Sequence, residues 1–327
     1  MSFASRVARL GATCLLAATA AAPAPAADAY PSRPVTMVIP FPPGGGADVL
    51  GRVIAQKLGE TLGQPMVIDN RAGAGTLIGA AFVAKAPADG YTLLLSSGTT
   101  FTVNPAIRSS LPYDPVKSFE PIGVTGRASL VLLAHADVPV KTFGQFVDYV
   151  KAAPGKYPYG SFGSGTTSHF AGEAVLAAAG LKMTHVPYKG SAPAMTDLIG
   201  GQVPFTFDTV TAAIPQLRSG KIRAIAVTSA RRSSLLPEVP TMAESGYPAI
   251  DMDTWLALMA PRGLPADVKA KLEQALASVM KDAETRSKLV AQGFEPVHVD
   301  AAGAAELIGK ELPAMRALAQ RAHITAD

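Results

Sequence analysis

Short apolar, β-rich runs alternate with amphipathic helical patterns along most of the chain, and this alternation limits the possible folds more than any other feature. Nine runs have the length and composition of strands: VTMVIP, PMVID, YTLLLSS, SLVLLA, YPYGS, THVPY, VPFTFD, IRAIAVTS and WLALMA. Helical patterns such as VLGRVIAQKL separate them. Alternation of this kind predicts an α/β fold, built from βαβ units with largely parallel sheets covered by helices.

The helical patterns have one apolar face each, and the carboxyl-terminal third of the chain is predominantly helical. In VLGRVIAQKL this face consists of Val49, Leu50, Val53, Ile54 and Leu58. A second apolar stripe, in PADVKAKLEQALASVM, consists of Val268, Leu272, Ala275, Leu276, Val279 and Met280. Such stripes predict helices that pack on a sheet.

The amino terminus differs from the rest of the chain. It carries two arginines and no acid, then the short apolar run GATCLLAATA, then small residues in APAADA. This order predicts a secretory signal peptide over residues 1–29, cleaved near Ala26 or Ala29, and therefore a periplasmic protein. The only cysteine, Cys14, lies in that leader, so the mature chain would contain no disulfide.

Charge argues against one class of partner. Loss of the leader would remove two arginines and one aspartate and leave 27 basic and 24 acidic residues. No basic run or stripe occurs, so we expect no nucleic-acid binding. The small excess of basic residues suits an anionic small ligand, although ordinary solubility is the better explanation of this excess taken alone.

Two glycine-rich turns resemble each other, one in each half of the chain. IPFPPGGGADVLGRV and YPYGSFGSGTTSHFAGE both run from strand through glycines into a helix. A helix amino terminus offers unpaired N–H groups and partial positive charge, so it can hold a carboxylate. Alternatively they are simple turns and caps, with Thr167 or Ser168 as N-cap. Two such turns favour a two-lobed clamp, because α/β sites lie at the carboxyl ends of strands.

A third glycine turn, VIDNRAGAGTLIGAAFVAK, resembles a nucleotide-binding fingerprint. The acidic residue that should follow at a strand end is displaced, since Asp89 lies in the turn PADGY. We therefore expect a turn with a buried close contact, and no cofactor.

Searches for catalytic motifs find neither a nucleophile elbow nor a P-loop. His169 and Glu173, four residues apart on a predicted helix, could contact one metal ion. The alternative to a binding protein is therefore an exported hydrolase or metal-dependent enzyme that uses these two residues. We assign no catalytic and no metal-binding residue.

Several motifs together resemble the Bug family of solute receptors, the extracytoplasmic components of tripartite tricarboxylate transporters. They include YPSRPVTMVIPFPPGGGADVLGR, YGSFGSGTTSHFAGE, VPYKGSAPAMTDLIGGQV, GKIRAIAVTSARR and WLALMAPRGLP, and extend in order along the mature chain. The resemblance implies a type II periplasmic-binding-protein fold, with two α/β lobes that close on a small carboxylate. Strand patterns place the crossovers at 126–129 and 229–253, so lobe 1 would hold 30–127 plus 253–327, and lobe 2 would hold 128–252.

The resemblance also implies a ligand site at the two glycine turns. Its predicted residues are Phe41, Pro43, Gly44, Gly45 and Asp48 in the first turn, Ser161, Gly163, Thr166, Thr167 and His169 in the second, and Ser96, Thr99 and Asp208 after other strands. The implied ligand is a dicarboxylate, an amino acid or an aromatic acid, and the implied partners are two membrane subunits. A ligand-sensing co-receptor without transport is the other role that the family allows, and we expect a monomer.

Overall fold

The structure, a computed structural model, describes residues 30–325. The predicted signal peptide and Cys14 lie outside these residues. In chain order the strands and helices are β1 (Val35–Ile39), α1 (Gly46–Leu62), β2 (Met66–Asn70), α2 (Leu77–Ala84), β3 (Thr92–Ser97), α3 (Asn104–Ile107), β4 (Phe119–His135), α4 (Phe143–Lys151), β5 (Pro158–Ser161), α5 (Thr167–Ala179), β6 (Thr184–Pro187), α6 (Ser191–Ile199), β7 (Phe205–Thr209), α7 (Val210–Leu217), β8 (Ile222–Val227), β9 (Asp253–Pro261), α8 (Ala266–Lys281), α9 (Ala283–Ala291), β10 (Val299–Asp300) and α10 (Ala301–Ala322).

The long strand β4 connects two sheets. Its residues 119–129 pair with β9 in the first sheet, which has the order β2-β1-β3-β9-β4 with β10 also on β4. Its residues 130–134 pair with β7 in the second sheet, which continues through β5 to β6, while β8 also pairs with β4. The exchange of partners between Ser129 and Leu130 supports the predicted lobe boundaries, which remain a prediction.

The prediction of largely parallel sheets is correct only away from β4 and β9. Strand β1 is parallel to β2 and β3, and β5 is parallel to β6 and β7. All pairings of β4 and β9 are antiparallel. These strands are not part of βαβ units, because they carry the chain between the sheets, and the alternation pattern did not show this.

Helices cover the sheets as their apolar faces predicted. All six residues of the stripe in α8 are buried. Leu272 and Leu276 of that helix share a core cluster with Leu50, Ile54 and Leu58 of α1 and with the strand residues of the first sheet. Within residues 30–325, no helix has both the length and the apolar character of a membrane span.

Candidate functional site

The first glycine turn connects β1 to α1. Gly45 is the N-cap of α1, with extended backbone and no side-chain hydrogen bond to the cap. Gly44 adopts a left-handed conformation, with φ of 81°, and its N–H donates to Oδ2 of Asp48 at 2.9 Å. The first turn of α1 therefore contributes backbone N–H groups to the space in front of it.

Asp48 stabilises this turn from behind. Its carboxylate accepts hydrogen bonds from Arg52, Asn70 and Gly44. Burial disfavours the charge on Asp48, but the hydrogen bonds from Arg52, Gly44 and Asn70 outweigh burial and lower the pKa of Asp48. These hydrogen bonds of the Asp48 side chain are internal and hold the turn in shape.

The second glycine turn connects β5 to α5. The N-cap is Thr166, whose hydroxyl accepts from the N–H of His169 and donates to the carbonyl of Gly163 at 2.6 Å. The prediction that Thr167 or Ser168 caps the helix is wrong by one or two positions. Thr166 has the extended backbone of a cap residue, whereas Thr167 is already helical.

Two stacked histidines lie beneath the second turn. The rings of His169 and His185 are 4.0 Å apart, Nδ1 of His169 accepts from the N–H of Gly165, and Nε2 of His185 lies 2.7 Å from Oγ of Ser161. Burial, with a smaller effect of Arg108, lowers the pKa of His169 to about 4. Burial, with a smaller effect of His169, lowers the pKa of His185 to about 3. Both rings are therefore uncharged at neutral pH and hold the turn through hydrogen bonds.

The pair that suggested an enzyme has structural partners. Nε2 of His169 and Oε1 of Glu173 are 3.9 Å apart, and the hydroxyl of Tyr159 donates to that same Oε1 at 2.5 Å. In the described part of the chain, no three His, Cys, Asp or Glu residues are grouped so that they could hold a metal ion.

A cavity between the two glycine turns, called the inner cavity here, collects the amino termini of four helices. Its lining includes Gly45 before α1, Thr167 at the start of α5, Gly190 before α6, and Thr209 before α7. Its cavity volume of about 50 Å³ is enough for a small chemical group but not for a whole drug-sized ligand. None of the described residues that line it is lysine or arginine, so the positive potential there comes from helix dipoles.

One acid, Asp208, lies in the wall of the inner cavity and is fully buried. Ser191 Oγ donates to its Oδ2 at 2.6 Å, and the N–H of Thr209 donates to its Oδ1 at 2.7 Å. Burial raises the pKa of Asp208 to about 6, although the hydrogen bonds from Ser191 and Thr209 act in the opposite direction.

A second cavity, called the outer cavity here, adjoins the first. The two share Phe41, Pro42, Phe162 and Gly190, which form the wall between them. The outer cavity is also lined by residues 72–76 of the third glycine turn, by Gly163, Ser164 and Thr166 of the second turn, and by the cationic residues Arg108 and Lys189.

The third glycine turn makes the close contact that the sequence predicted. Gly75 adopts φ of 62°, and a Cβ atom placed on it would lie 2.6 Å from the carbonyl oxygen of Ser164 in the second turn. The neighbouring Ala74 and Thr76 also have positive φ, of 48° and 83°. Non-glycine residues rarely adopt this conformation, and such positions concentrate at functional sites.

The predicted site residues are divided between the cavities and the structure behind them. The inner cavity is lined by Phe41, Pro43, Gly45, Thr167 and Asp208, and the outer cavity by Phe41, Gly163 and Thr166. The predicted residues that line neither cavity are Gly44, Asp48, Ser96, Thr99, Ser161 and His169. Thr99 still contacts the site, because its hydroxyl accepts from the N–H of Thr167 at 3.1 Å. Ser96 instead bonds to Thr100, 2.6 Å away.

Sequence reasoning missed several residues of the lining. These are chiefly Ser97, Ser191, Thr209, Thr254, Leu256 and Phe294 of the inner cavity and Arg108 and Lys189 of the outer one. Ser191 carried a usable signal, because VPYKGSAPAM is a further strand–glycine–helix turn. Phe294 had none, since it comes from a loop after α9, far along the chain.

A family model and a relative of known sequence both match most of this chain. The model of a family described as "Tripartite tricarboxylate transporter family receptor" matches residues 50–324. Protein BugT of Bordetella pertussis is 39% identical over 282 residues, which cover 86% of each chain.

Two solved structures superpose on this chain over most of its length. The periplasmic binding protein BugD superposes with a TM-score of 0.86 at 35% identity, over 90% of this chain and 99% of that one. A protein from R. palustris with adipate superposes with a TM-score of 0.88 at 35% identity, over the same shares of the two chains. The fold is thus that of these periplasmic binding proteins, as the sequence predicted.

Proposed function

The chain belongs to the family of tripartite tricarboxylate transporter receptors, and from this premise we propose that it captures a small carboxylate in the periplasm and delivers it to a transporter of that type. Members of this family are solute-binding receptors and not enzymes, and this chain is one of them. The alternative of a hydrolase or metal-dependent enzyme at His169 and Glu173 is therefore wrong. The adipate in the R. palustris relative supports a carboxylate as the ligand class.

The convergence of four helix amino termini on the inner cavity is the observation that carries the proposal. Each terminus has unpaired N–H groups and a partial positive charge, and together they suit an anion without a paired lysine or arginine. The hydroxyls of Ser97, Thr167 and Thr254 add neutral donors around the same space.

The predicted ligand-binding residues have two roles in this proposal. Those that line a cavity contact the ligand or a water that bridges to it. Those that line neither cavity position the turns: Asp48 holds Gly44, while Ser161 and His169 hold the second turn through His185 and Gly165.

Closure of two lobes is the proposed mechanism. Lobe 1 comprises 30–127 plus 253–327 and lobe 2 comprises 128–252, joined by β4 and by the return of the chain before β9. A ligand between them contacts both, so its binding energy favours the closed state. The membrane subunits then recognise the closed receptor. We further propose export through the leader at residues 1–29, with cleavage near Ala26 or Ala29.

A thermal-shift screen tests the binding function. The panel contains monocarboxylates, dicarboxylates, amino acids and aromatic acids, with uncharged amides of the same acids as controls. A ligand at a hundred times its dissociation constant adds about 2.7 kcal/mol to the free energy of unfolding, which is a measurable shift. We expect at least one acid to stabilise the protein while its amide does not. Equal stabilisation by acids and amides would contradict carboxylate binding.

A transport assay separates delivery from sensing. Uptake of the labelled acid is measured in cells with and without the receptor. Loss of uptake without the receptor is expected, and unchanged uptake would contradict delivery to a transporter.

A further inference from the structure

The inner cavity places one acid beside the space that the proposed function assigns to an anion. Asp208, near the carboxyl end of β7, lines this cavity together with Thr167 and Ser191, the first residues of α5 and α6. The cavity volume of about 50 Å³ is that of a small chemical group. A carboxylate that enters the cavity therefore lies close to the carboxyl group of Asp208.

The hydrogen-bond partners of Asp208 do not neutralise it. Within the described chain, the Ser191 hydroxyl donates to Oδ2 at 2.6 Å and the N–H of Thr209 donates to Oδ1 at 2.7 Å. Both donors are uncharged, and the carboxyl group is fully buried. An ionised carboxylate has about four acceptor positions, so Asp208 keeps capacity for a further partner in the cavity.

The other titratable or charged groups on the elements that pack against β7 have partners of their own. They are Glu120, Arg127 and His135 on β4, Tyr159 on β5, His169 and Glu173 on α5, and Asp197 on α6. Arg127 pairs with Asp253, and Glu120 pairs with Lys269. Nδ1 of His135 accepts from the N–H of Asp137, and Asp197 accepts from the Tyr188 hydroxyl. The contacts of Tyr159, His169 and Glu173 are those described above, and Lys189, on the loop before α6, is exposed in the outer cavity.

Two carboxylates that lie close together in a buried site do not both stay ionised. Their repulsion raises the pKa of one of them, and the pair then holds one proton. Burial already raises the pKa of Asp208 to about 6 in the ligand-free protein. The carboxyl group of a ligand has an ordinary pKa near about 4, and helix amino termini favour its charged form. Asp208 is therefore the member of the pair that takes up the proton.

From this arrangement we propose that binding of the ligand's carboxylate in the inner cavity is coupled to the uptake of one proton by Asp208. The proton comes from the solvent, and the protonated carboxyl group donates a hydrogen bond to the carboxylate of the ligand, which replaces a repulsion by an attraction. The four helix amino termini then face a single negative charge. The inference rests on the proposed carboxylate-binding function and adds its regulation by pH.

The coupling determines the direction of the pH dependence. Above the pKa of Asp208 in the complex, neither the free nor the bound protein carries the proton, and affinity is lowest. Between that pKa and the value of about 6 in the free protein, affinity rises as pH falls, by at most about tenfold per pH unit for one proton. Below about pH 6 Asp208 is protonated in both states, so affinity levels off until the ligand's own carboxylate is protonated near about pH 4.

Calorimetry on the unaltered protein measures the proton directly. The probes are the sodium salts of acetate, succinate, adipate and benzoate, and the probe that binds most tightly is titrated at pH 7 in phosphate and in Tris, two buffers with different heats of ionisation. The difference between the two observed enthalpies gives the number of protons taken up. We expect about 0.5 to 1 proton per bound probe, and an affinity about 3- to 10-fold higher at pH 6.5 than at pH 7.5.

Asp208→Asn keeps the shape of the side chain but cannot take up the proton. Proton uptake should fall to near zero. At pH 8 this variant should bind the probe more tightly than the unaltered protein, because its side chain is neutral at every pH. Glu311→Gln is the control, since burial also raises the pKa of Glu311 but its side chain lines neither the inner nor the outer cavity. It should keep the proton uptake of the unaltered protein.

Ser191→Ala tests the assignment without replacing Asp208. The hydrogen bond from the Ser191 hydroxyl lowers the pKa of Asp208, so its loss should raise that pKa and shift the pH at which affinity levels off to a higher value. Loss of a contact between Ser191 and the probe would instead weaken binding equally at all these pH values and leave the levelling-off point unchanged.

The outcomes distinguish the inference from the function on which it rests. If the unaltered protein binds a probe without proton uptake, if Asp208→Asn keeps the uptake, or if Ser191→Ala keeps the levelling-off point, the inference is overturned while carboxylate binding stands. If none of the four probes binds at any pH, both are overturned. Ser191→Ala decides the assignment to Asp208 even if Asp208→Asn fails to fold.

Discussion

The backbone N–H of Thr167 donates a hydrogen bond to the hydroxyl of Thr99 across the cleft, with 3.1 Å between nitrogen and oxygen. Thr99 follows β3 of the first sheet, and Thr167 begins α5 beside the second. Both side chains are buried. The bond forms only while the segments from the two sheets face each other, so under the proposed two-lobe mechanism it marks the closed arrangement.

Thr99→Val removes the acceptor and keeps the shape of the side chain. A hydrogen bond contributes about 0.5–1.5 kcal/mol, so we expect ligand affinity to fall about 2- to 10-fold. Calorimetry measures the affinity, and small-angle scattering of the ligand-free protein should show a larger radius of gyration. Thr36→Val, in β1 and remote from both cavities, is the control. If Thr99→Val has the same ligand affinity and the same radius of gyration as Thr36→Val, this hydrogen bond does not stabilise closure.

Gly45→Val places a side chain at the wall of the inner cavity. A Cβ atom at this position meets only the carbonyl oxygen of Pro42, at 3.7 Å, so the fold should accept it. Loss of the favoured N-cap residue should cost about 1 kcal/mol or less in the free energy of unfolding. We expect ligand binding to be lost with little change in melting temperature.

The control for this change is Gly144→Val, which also lies near the start of a helix and has only one atom, at 4.0 Å, near its Cβ position. It should bind ligand normally. Retention of normal affinity by Gly45→Val would remove Gly45 from the site.

Gly75→Ala tests the contact between the second and third glycine turns. Its Cβ would lie 2.6 Å from the carbonyl oxygen of Ser164, so the two turns must separate. Overpacking of this kind costs about 1–3 kcal/mol, and we expect ligand affinity to fall about tenfold or more. Gly63→Ala is a matched control, because Gly63 has φ of 74° but open space around its Cβ position. Both variants place a side chain at a residue with positive φ. If Gly75→Ala and Gly63→Ala bind the ligand with equal affinity, closure does not need the contact between the two turns.

The stacked histidines predict a pH dependence of stability. Burial holds the pKa of His185 at about 3, against the ordinary 6.5. Below pH 6.5 the unfolded chain takes up a proton at this position while the folded chain does not. The free energy of unfolding therefore falls as pH drops from about 6.5 towards about 3, by at most about 1.4 kcal/mol per pH unit for one group.

His185→Gln should make this decline shallower, because glutamine does not titrate. Urea unfolding between pH 7 and pH 5 measures the slope. His323→Asn, at the carboxyl end of α10, is the control and should keep the slope of the unaltered protein. A slope in His185→Gln equal to that of the control would contradict a neutral, buried His185.

The sequence predicted most strands and helices of the fold, because the buried face of each element requires apolar residues at regular intervals along the chain. All nine predicted runs overlap a strand, and the stripe of α8 was correct residue by residue. The first half of β4 was missed, since Pro121, Gly123 and Gly126 interrupt the apolar alternation. This half pairs with β9, and its register shifts occur beside those residues. Tertiary pairing there overrides local propensity.

The site was predictable only where it lies on local turns. Phe41, Pro43, Gly45 and Thr167, which the family resemblance implied, lie on turns where strand, glycine and helix follow each other directly in sequence, and all four line the inner cavity. Thr254 and Phe294 come from β9 and from the loop after α9, and no local pattern marks them. No sequence pattern indicated the role of His185, since its stacking on His169 depends on the parallel pairing of β5 with β6.

The crystal structure of the protein with the acid that stabilises it most in the thermal-shift screen tests the central claim most directly. We predict one molecule of the acid per chain, in contact with Gly45 of the first turn and Thr167 of the second, with no metal ion required. Density for the acid at another surface, with the space between Gly45 and Thr167 filled only by water, would contradict the account.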